Sequence, residues 1–234
     1  MMARGGMKWA AVLAAGALSA GTVHSQAPAV EEPAKVLDGL DLQNLPMQGD
    51  PAADVVLVEF ADFDCPYCRI YAGTTRIQIN DEYVRTGKIR YVFVNFPLAE
   101  HSGALQLAAA GECARRQGKF WPLHDELFVH LEPRAHRRLQ HAVANVGIDA
   151  VSFADCVKDP QVRSIVQHGL RLGERLGVQG TPWFFIGRVN ENHWTDVTHV
   201  FGARPLENFR SILEPLLAPT QQPRESPRPG TELR

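Results

Sequence analysis

The sequence predicts an α/β fold in which one sheet domain is interrupted by a helical insertion. Three observations carry that expectation. An apolar run, Val55 to Val58, leads into Cys65-Pro66-Tyr67-Cys68, and a second strand-like run, Ile89 to Phe96, follows after a helix-length interval. From His101 to about Gly177 the periodicity is helical, with no convincing strand. Strand character returns at Val178 to Gly187. A chain of 234 residues with 45% hydrophobic content is globular in composition, with length for one large domain carrying a sizeable insertion.

Val55, Val56, Leu57 and Val58 lack polar alternation, which suits a central strand covered on both faces. Pro66 suits a first helical turn, where its missing N–H is no loss. Cys65 therefore falls at or next to a helix N-cap, where unpaired N–H groups and the helix dipole favour an anion. The C-x-x-C spacing lowers a thiol pKa as well, and the thiolate is the species that attacks a disulfide. Cys68 lies about one turn on, placed to close the ring but not to meet a substrate. The rival use of a C-x-x-C is half of a zinc site. No second C-x-x-C or H-x3-5-H follows at finger-like spacing, so no metal and no cofactor are expected. Ile70, Tyr71, Ile77, Tyr83 and Val84 fit a helix running to about Arg85, with a bend at Gly73 and a C-cap at Gly87. Strand, helix, strand implies a parallel pair with a right-handed crossover. The dithiol then sits at the carboxyl end of a strand, where open α/β sheets carry their sites.

Residues 1–25 read as a secretory signal peptide. Arg4 and Lys8 precede an apolar stretch from Trp9 to Gly21, and small residues surround a cut before Gln26. The stretch is short and rich in Ala and Gly, which counts against a membrane anchor. Loss of Arg4 and Lys8 moves the formal charge from −2 to −4, leaving no electrostatic case for nucleic acid. Export also places all four cysteines where disulfides persist. Residues 26–50 are expected as a loosely packed lead-in that adds an edge strand, 51–100 as the first part of the sheet domain and 101–177 as the insertion. Residues 178–218 form the second part, and 219–234, rich in Pro, Gln, Ser and charge, a disordered tail.

Within the insertion, helices are expected over Ala104–Arg116, Phe120–Leu131, Leu139–Val146, Ile148–Val157 and Gln161–Leu176. Cys113 and Cys156 lie 43 positions apart on different helices. In an exported protein their pairing is the natural use of the cysteines that the C-x-x-C leaves over, worth about 4 kcal/mol in the chain-entropy model. Two buried free thiols are the alternative. Pro182 heads the aromatic strand Trp183 to Ile186, a position a proline tolerates. A cis form there would bend the chain and expose the preceding backbone for pairing with an extended peptide. Arg188 to Val200 reads as a hairpin with an enlarged turn around Asn190, Glu191, Asn192 and Asp196. Leu206, Phe209, Ile212, Leu213 and Leu216 mark a final helix.

Cys65-Pro66-Tyr67-Cys68 after an apolar strand, the helical block, Gly180-Thr181-Pro182 before an aromatic strand, and the terminal helix together resemble the DsbA-like thiol:disulfide oxidoreductases of the thioredoxin superfamily. Gly111-Glu112-Cys113-Ala114 and Gln117-Gly118-Lys119-Phe120-Trp121 are similar to the branch with a thioredoxin-4-type domain, and the resemblance spans about Pro51 to Leu217. It implies a thioredoxin-like fold with a helical insertion domain. It also implies that Cys65 attacks, Cys68 resolves, and Pro182 is cis and faces the disulfide, with Pro66, Tyr67 and Thr181 beside it in the substrate site. Glu59 matches the family's buried acid, which assists proton transfer at the second cysteine. Independently, a carboxylate ending an apolar central strand is costly to bury, so it either titrates high, has a partner, or faces solvent. Trp183, where the family often has a smaller residue, departs from the pattern.

The expected function is an exported, periplasmic oxidase that donates a disulfide to cysteine-containing client proteins and is turned over by a membrane or periplasmic redox partner. A monomer is expected, because residues 26–50 are too short for the N-terminal dimerisation domain of related isomerases. Two other readings stand beside it: a reductase or isomerase kept reduced by a partner, and a non-catalytic binding module whose Cys65–Cys68 bridge is structural. His136 and His141, among arginines, read as a solvated helix face, and His101 as structural or functional alike.

Overall fold

The computed structural model describes residues 31–129, 132 and 134–219. The leader 1–25 and all but the first residue of the tail lie outside the described residues. Among the described residues, five strands form one sheet in the order β1-β3-β2-β4-β5. The apolar run becomes β2 (Val55–Ala61), every residue of which is buried. It pairs in parallel with β3 (Ile89–Asn95), from Val55 opposite Ile89 to Ala61 opposite Asn95. On its other side it pairs antiparallel with β4 (Trp183–Asn190), with Glu59 opposite Phe184. The edges are β1 (Met47–Gly49) on β3 and β5 (His193–Phe201) on β4.

The described part of the lead-in, 31–50, is not loosely packed. A one-turn helix, α1 (Pro33–Leu37), buries Val36 and Leu37, and Leu40 and Leu42 join them against β4 and β5. Asp38 then accepts the Trp194 N–H at 2.7 Å. The brief apolar pairs act together because the chain folds them onto one sheet face, a set too short to show periodicity. The expected edge strand is β1.

After Cys68 the single expected helix is three pieces. The helix α2 (Pro66–Gly73) ends where Thr74 takes φ −130° and ψ −87°. Next come α3 (Thr75–Ile79) and a π-helical turn, Asn80–Val84. The hairpin also departs from expectation, because its turn is tight. Glu191 and Asn192 alone connect β4 to β5, with φ of 47° and 69°, the left-handed pair that a two-residue hairpin turn requires. Asn190 and Asp196 are strand residues; Asp196, at φ 53°, sits in a bulge that shifts the register between Ile186 and Arg188.

Between β3 and β4 the described residues form five helices: α4 (Ala104–Arg116), α5 (Phe120–Val129), α6 (Ala135–Asn145), α7 (Ala150–Cys156) and α8 (Pro160–Arg175). The first four gather around Phe63, Phe93, Phe120, Leu123 and Phe128. The expected end of α5 at Leu131 lies outside the described residues. A Cys113–Cys156 disulfide joins α4 to the end of α7, with the Cα atoms 5.8 Å apart. The last helix of the run, α8, lies directly on the sheet. A Cβ on Gly169 would stand 2.6 Å from the Asn95 carbonyl oxygen, so only glycine permits that approach. Leu172 and Leu176 cover Val56, Val58, Val92 and Val94. The opposite face, bearing Leu57 and Tyr91, is covered by Tyr71, Ile79 and α9 (Leu206–Leu217) through Phe209 and Leu213.

Candidate active site

The strand β2 delivers the chain to α2 through Asp62-Phe63-Asp64. Cys65 is the N-cap of α2 with φ −75° and ψ 124°, and Pro66 takes the first helical position. The sulfur of Cys65 donates to the Thr181 carbonyl oxygen at 3.4 Å, beside the cis Thr181–Pro182 peptide. Both cysteines are buried free thiols, and Cys68 has no exposed surface.

The two sulfurs have opposite acidities. The Cys68 thiol, hydrogen bonding to the Cys65 sulfur, brings the Cys65 pKa down to about 6. Burial opposes this, while Thr181 and the N–H groups of Cys68 and Tyr67 add to it. Cys68 is pushed well above the ordinary thiol range by burial and then by its neighbour. A thiolate therefore forms at Cys65 first, and Cys68 holds its proton.

Glu59 directly follows the apolar run Val55–Val58, two positions before the end of β2, and is 1% exposed, so the solvent-facing reading does not hold. Tyr91 Oη donates to Glu59 Oε2 at 2.5 Å, and the Tyr71 hydroxyl lies 3.2 Å from that of Tyr91. Burial raises the Glu59 pKa to about 7, against the Tyr91 hydrogen bond and the positive charge of Arg76. Its charge in turn raises the Cys68 pKa, which couples the two protons. Arg76 is itself nearly buried, with its guanidinium 4.9 Å from the Trp121 ring centre and 5.6 Å from that of Tyr91. Sequence reading passed over Tyr71, Tyr91 and Arg76. The one available signal was that a tyrosine in an otherwise buried strand needs a partner for its hydroxyl.

The turn before Cys65 is held by two carboxylates. Asp62 accepts the Asp64 and Leu98 N–H groups at 2.8 and 2.9 Å and lies 2.6 Å from His101 Nδ1. Asp64 accepts the Gly103 N–H and the Arg138 guanidinium at 3.1 and 2.8 Å. Arg138 reaches in from α6, fully buried, and also donates to the Phe63 carbonyl at 3.1 Å.

The remaining residues of the expected substrate site surround the dithiol. Pro66 and Tyr67 are exposed, Tyr67 at 62%, with Ile70 beside them at 53%. Thr181 and Pro182 are buried, with the Thr181 carbonyl against the Cys65 sulfur, and the Pro182 carbonyl accepts the Gly202 N–H. Trp183 stacks on His199 with centroids 5.4 Å apart and packs on half-exposed Phe201. His136 and His141 do not take part.

A family model described as thioredoxin matches residues 42–198. The chain belongs to the thioredoxin family. Among solved structures, this thioredoxin-family chain is similar to α-DsbA1 of Wolbachia pipientis, with a TM-score of 0.68 and 23% identity over 76% of this chain and 93% of that one. It is also similar to a thioredoxin-like oxidoreductase of Silicibacter pomeroyi DSS-3, with a TM-score of 0.64 and 25% identity over 77% of this chain and 95% of that one. The fold is thus the DsbA-like form of the thioredoxin fold. The probable disulfide bond formation protein D of Bacillus anthracis is 29% identical over 147 residues, 59% of this chain and 67% of its own length. A Na(+)/H(+) antiporter, NhaA 3 of Salinispora tropica, is 30% identical over 141 residues, 60% of this chain. The match spans only 21% of that antiporter's length.

Proposed function

We propose that this DsbA-like member of the thioredoxin family is an exported thiol:disulfide oxidoreductase that donates the Cys65–Cys68 disulfide to cysteine pairs of client proteins. The observation that carries the proposal is the opposite acidity of the two sulfurs, about 6 for Cys65 against a strongly raised value for Cys68. A stabilised Cys65 thiolate stabilises the reduced form, which makes the oxidised form a stronger oxidant.

A client thiolate attacks the Cys65 sulfur, and the electron pair of the broken bond goes to Cys68. Protonated Glu59, with its pKa near 7, supplies the proton that the Cys68 sulfur requires. A second client thiolate then attacks the client sulfur of the mixed disulfide, and Cys65 leaves as the thiolate. Exposed Tyr67 and Ile70 offer apolar surface beside the sulfur, and the Thr181 backbone lies on its other side. A membrane or periplasmic redox partner restores the disulfide, and the protein works as a periplasmic monomer. The reading of residues 1–25 as a leader supports export. Among the described residues no helix is long and apolar enough to cross a membrane.

The deciding measurement is the equilibrium reduction potential of Cys65–Cys68 in glutathione buffers, with Cys113→Ala/Cys156→Ala as the control for the second disulfide. A value near about −120 mV is expected for a donor. A value near about −270 mV would instead mark a reductase or isomerase, and resistance to reduction below about −300 mV a structural bridge.

A further inference from the structure

Asp62 touches both cysteines through its main chain and a histidine through its side chain. Its carbonyl accepts the Cys65 N–H at 3.1 Å, and its N–H donates to Cys68 Sγ at 3.5 Å. Its carboxylate has no exposed surface and is ringed by the Leu98 N–H, the Asp64 N–H and His101 Nδ1. Burial raises the Asp62 pKa, while the imidazole and the two backbone donors favour the anion, which can only accept. His101 itself is 21% exposed, so it exchanges protons with water where Asp62 cannot.

The charges acting on the imidazole are Asp62 and Cys65 from the active-site turn and Glu100 from its own loop. Close by, Asp64 is neutralised by Arg138 of α6, Arg69 of α2 carries a second positive charge, and Glu59 acts on Cys68 from the Tyr91 side. Burial disfavours the charged ring, but Asp62, Cys65 and Glu100 together outweigh it and raise the His101 pKa. Both thiols are free in this structure, so that balance belongs to the reduced protein.

We propose that His101 is a positioning residue for the exchange reaction, held by Asp62 so that it takes up a proton when the disulfide is reduced and keeps a positive charge near the Cys65 thiolate. The inference rests on exchange at Cys65–Cys68 but not on its direction. Two substrate thiols lose two electrons and two protons as their S–S bond forms. The Cys65–Cys68 bond breaks and receives both electrons. One proton ends on the Cys68 sulfur, the other on the His101 imidazole, and Cys65 remains a thiolate. On reoxidation the imidazole gives its proton back to solvent.

The test is the pH dependence of the reduction potential in the full chain and in His101→Gln, which retains a hydrogen-bond donor for Asp62 but cannot carry the proton. Above the Cys65 pKa of about 6, the parent protein is expected to keep taking up close to two protons per two electrons. Its equilibrium constant then changes about a hundredfold per pH unit, about 59 mV, until His101 itself titrates. His101→Gln is expected to fall to one proton, about tenfold per unit or about 30 mV. In parallel, the His101 imidazole resonance of the unmodified protein is expected to titrate at higher pH in the reduced than in the oxidised state. Equal midpoints in the two states overturn the proposal, as does a folded His101→Gln with the parental pH profile. If His101→Gln does not fold, the imidazole titration decides alone. A potential near that of thioredoxin would overturn disulfide donation and leave this inference standing, because the slope and the absolute value are separate readings.

Discussion

Tyr91 Oη donates a 2.5 Å hydrogen bond to Glu59 Oε2 across two neighbouring parallel strands, with neither residue open to solvent. A carboxylate in that position meets two opposed effects. Burial favours the neutral acid, and the tyrosine donor and the Arg76 charge favour the anion. Burial wins, and the pKa settles near 7. The acid is then balanced between giving and holding a proton at neutral pH, as proton delivery to Cys68 demands.

That balance has a cost in stability with a definite sign. In the unfolded chain Glu59 ionises near its ordinary value of 4.5, whereas in the folded protein it retains its proton until about 7. Between those values the folded state binds more protons, so stability falls as pH rises and then levels off. The whole effect is on the order of 3 kcal/mol. Glu59→Gln removes the titration and is expected to be the more stable protein at alkaline pH, with the gap closing toward pH 4.5. Denaturant unfolding of both proteins across this range checks it; a constant gap would show that Glu59 ionises without penalty.

Tyr91→Phe removes the donor but keeps the ring on which Arg76 stacks. The Glu59 pKa is expected to move up from about 7, since the lost hydrogen bond favoured the anion. The alkaline limb of the exchange rate should move up with it. Carboxyl infrared bands followed through the titration report the first shift, and exchange kinetics the second. A rate profile that stays in place while the carboxyl pKa moves would separate Glu59 from the rate-limiting proton transfer.

The legibility of this fold and site follows the range of the interactions involved. The strands β2 and β3 and the helix Ala104–Arg116 are local: continuous apolar runs or long helical periodicity bounded by glycine. The placement of Cys65 at an N-cap is also local, because Pro66 fixes it. The packing of Val36 and Leu37 was hidden, because one turn of helix carries too little pattern. The tight Glu191-Asn192 turn was hidden among polar strand residues of an exposed edge. The partners of Glu59 and Asp62 depend on register and on a loop 39 positions away, which no spacing encodes.

Arg138 ties α6 to the active-site turn through the Phe63 carbonyl and Asp64. Its loss leaves the buried Phe63 carbonyl without this donor and the largely buried Asp64 carboxylate with the Gly103 N–H but no cation. Arg138→Ala is expected to cost about 3 kcal/mol in stability, near the lower end for breaking a buried pair because Asp64 retains some solvent. Pairing it with Asp64→Asn isolates the ionic part. If the two losses simply add, the carbonyl contact and packing account for the effect.

Gly169→Ala tests how closely α8 lies on β3. In an exposed helix this change stabilises by about 1 kcal/mol. Here the new methyl would stand 2.6 Å from a backbone oxygen of Asn95, which cannot turn away as a side chain could. The strand or the helix must shift, and overpacking of this kind costs about 1–3 kcal/mol. A lowered unfolding midpoint is expected; a raised one would show that α8 and β3 separate easily.

The acidity difference between the sulfurs makes an alkylation prediction for the reduced protein. With Cys65 near pKa 6, its thiolate outnumbers its thiol by about tenfold at pH 7, whereas Cys68 is protonated and fully buried. Iodoacetamide at neutral pH should therefore modify Cys65 alone, with a rate that rises through pH 6 and flattens above it. The same shift has a stability consequence with the opposite sign to that of Glu59. The folded pKa of Cys65 lies below its unfolded value of 9.0, so the reduced protein binds fewer protons than its unfolded chain between about 6 and 9. Reduced-protein stability should rise with pH across that window relative to Cys65→Ser, and be lost as pH falls through 6. Mass mapping of the alkylated cysteine and unfolding of the reduced pair of proteins provide the two readings. Labelling at Cys68 before Cys65 would reverse the assignment of attacking and resolving sulfurs.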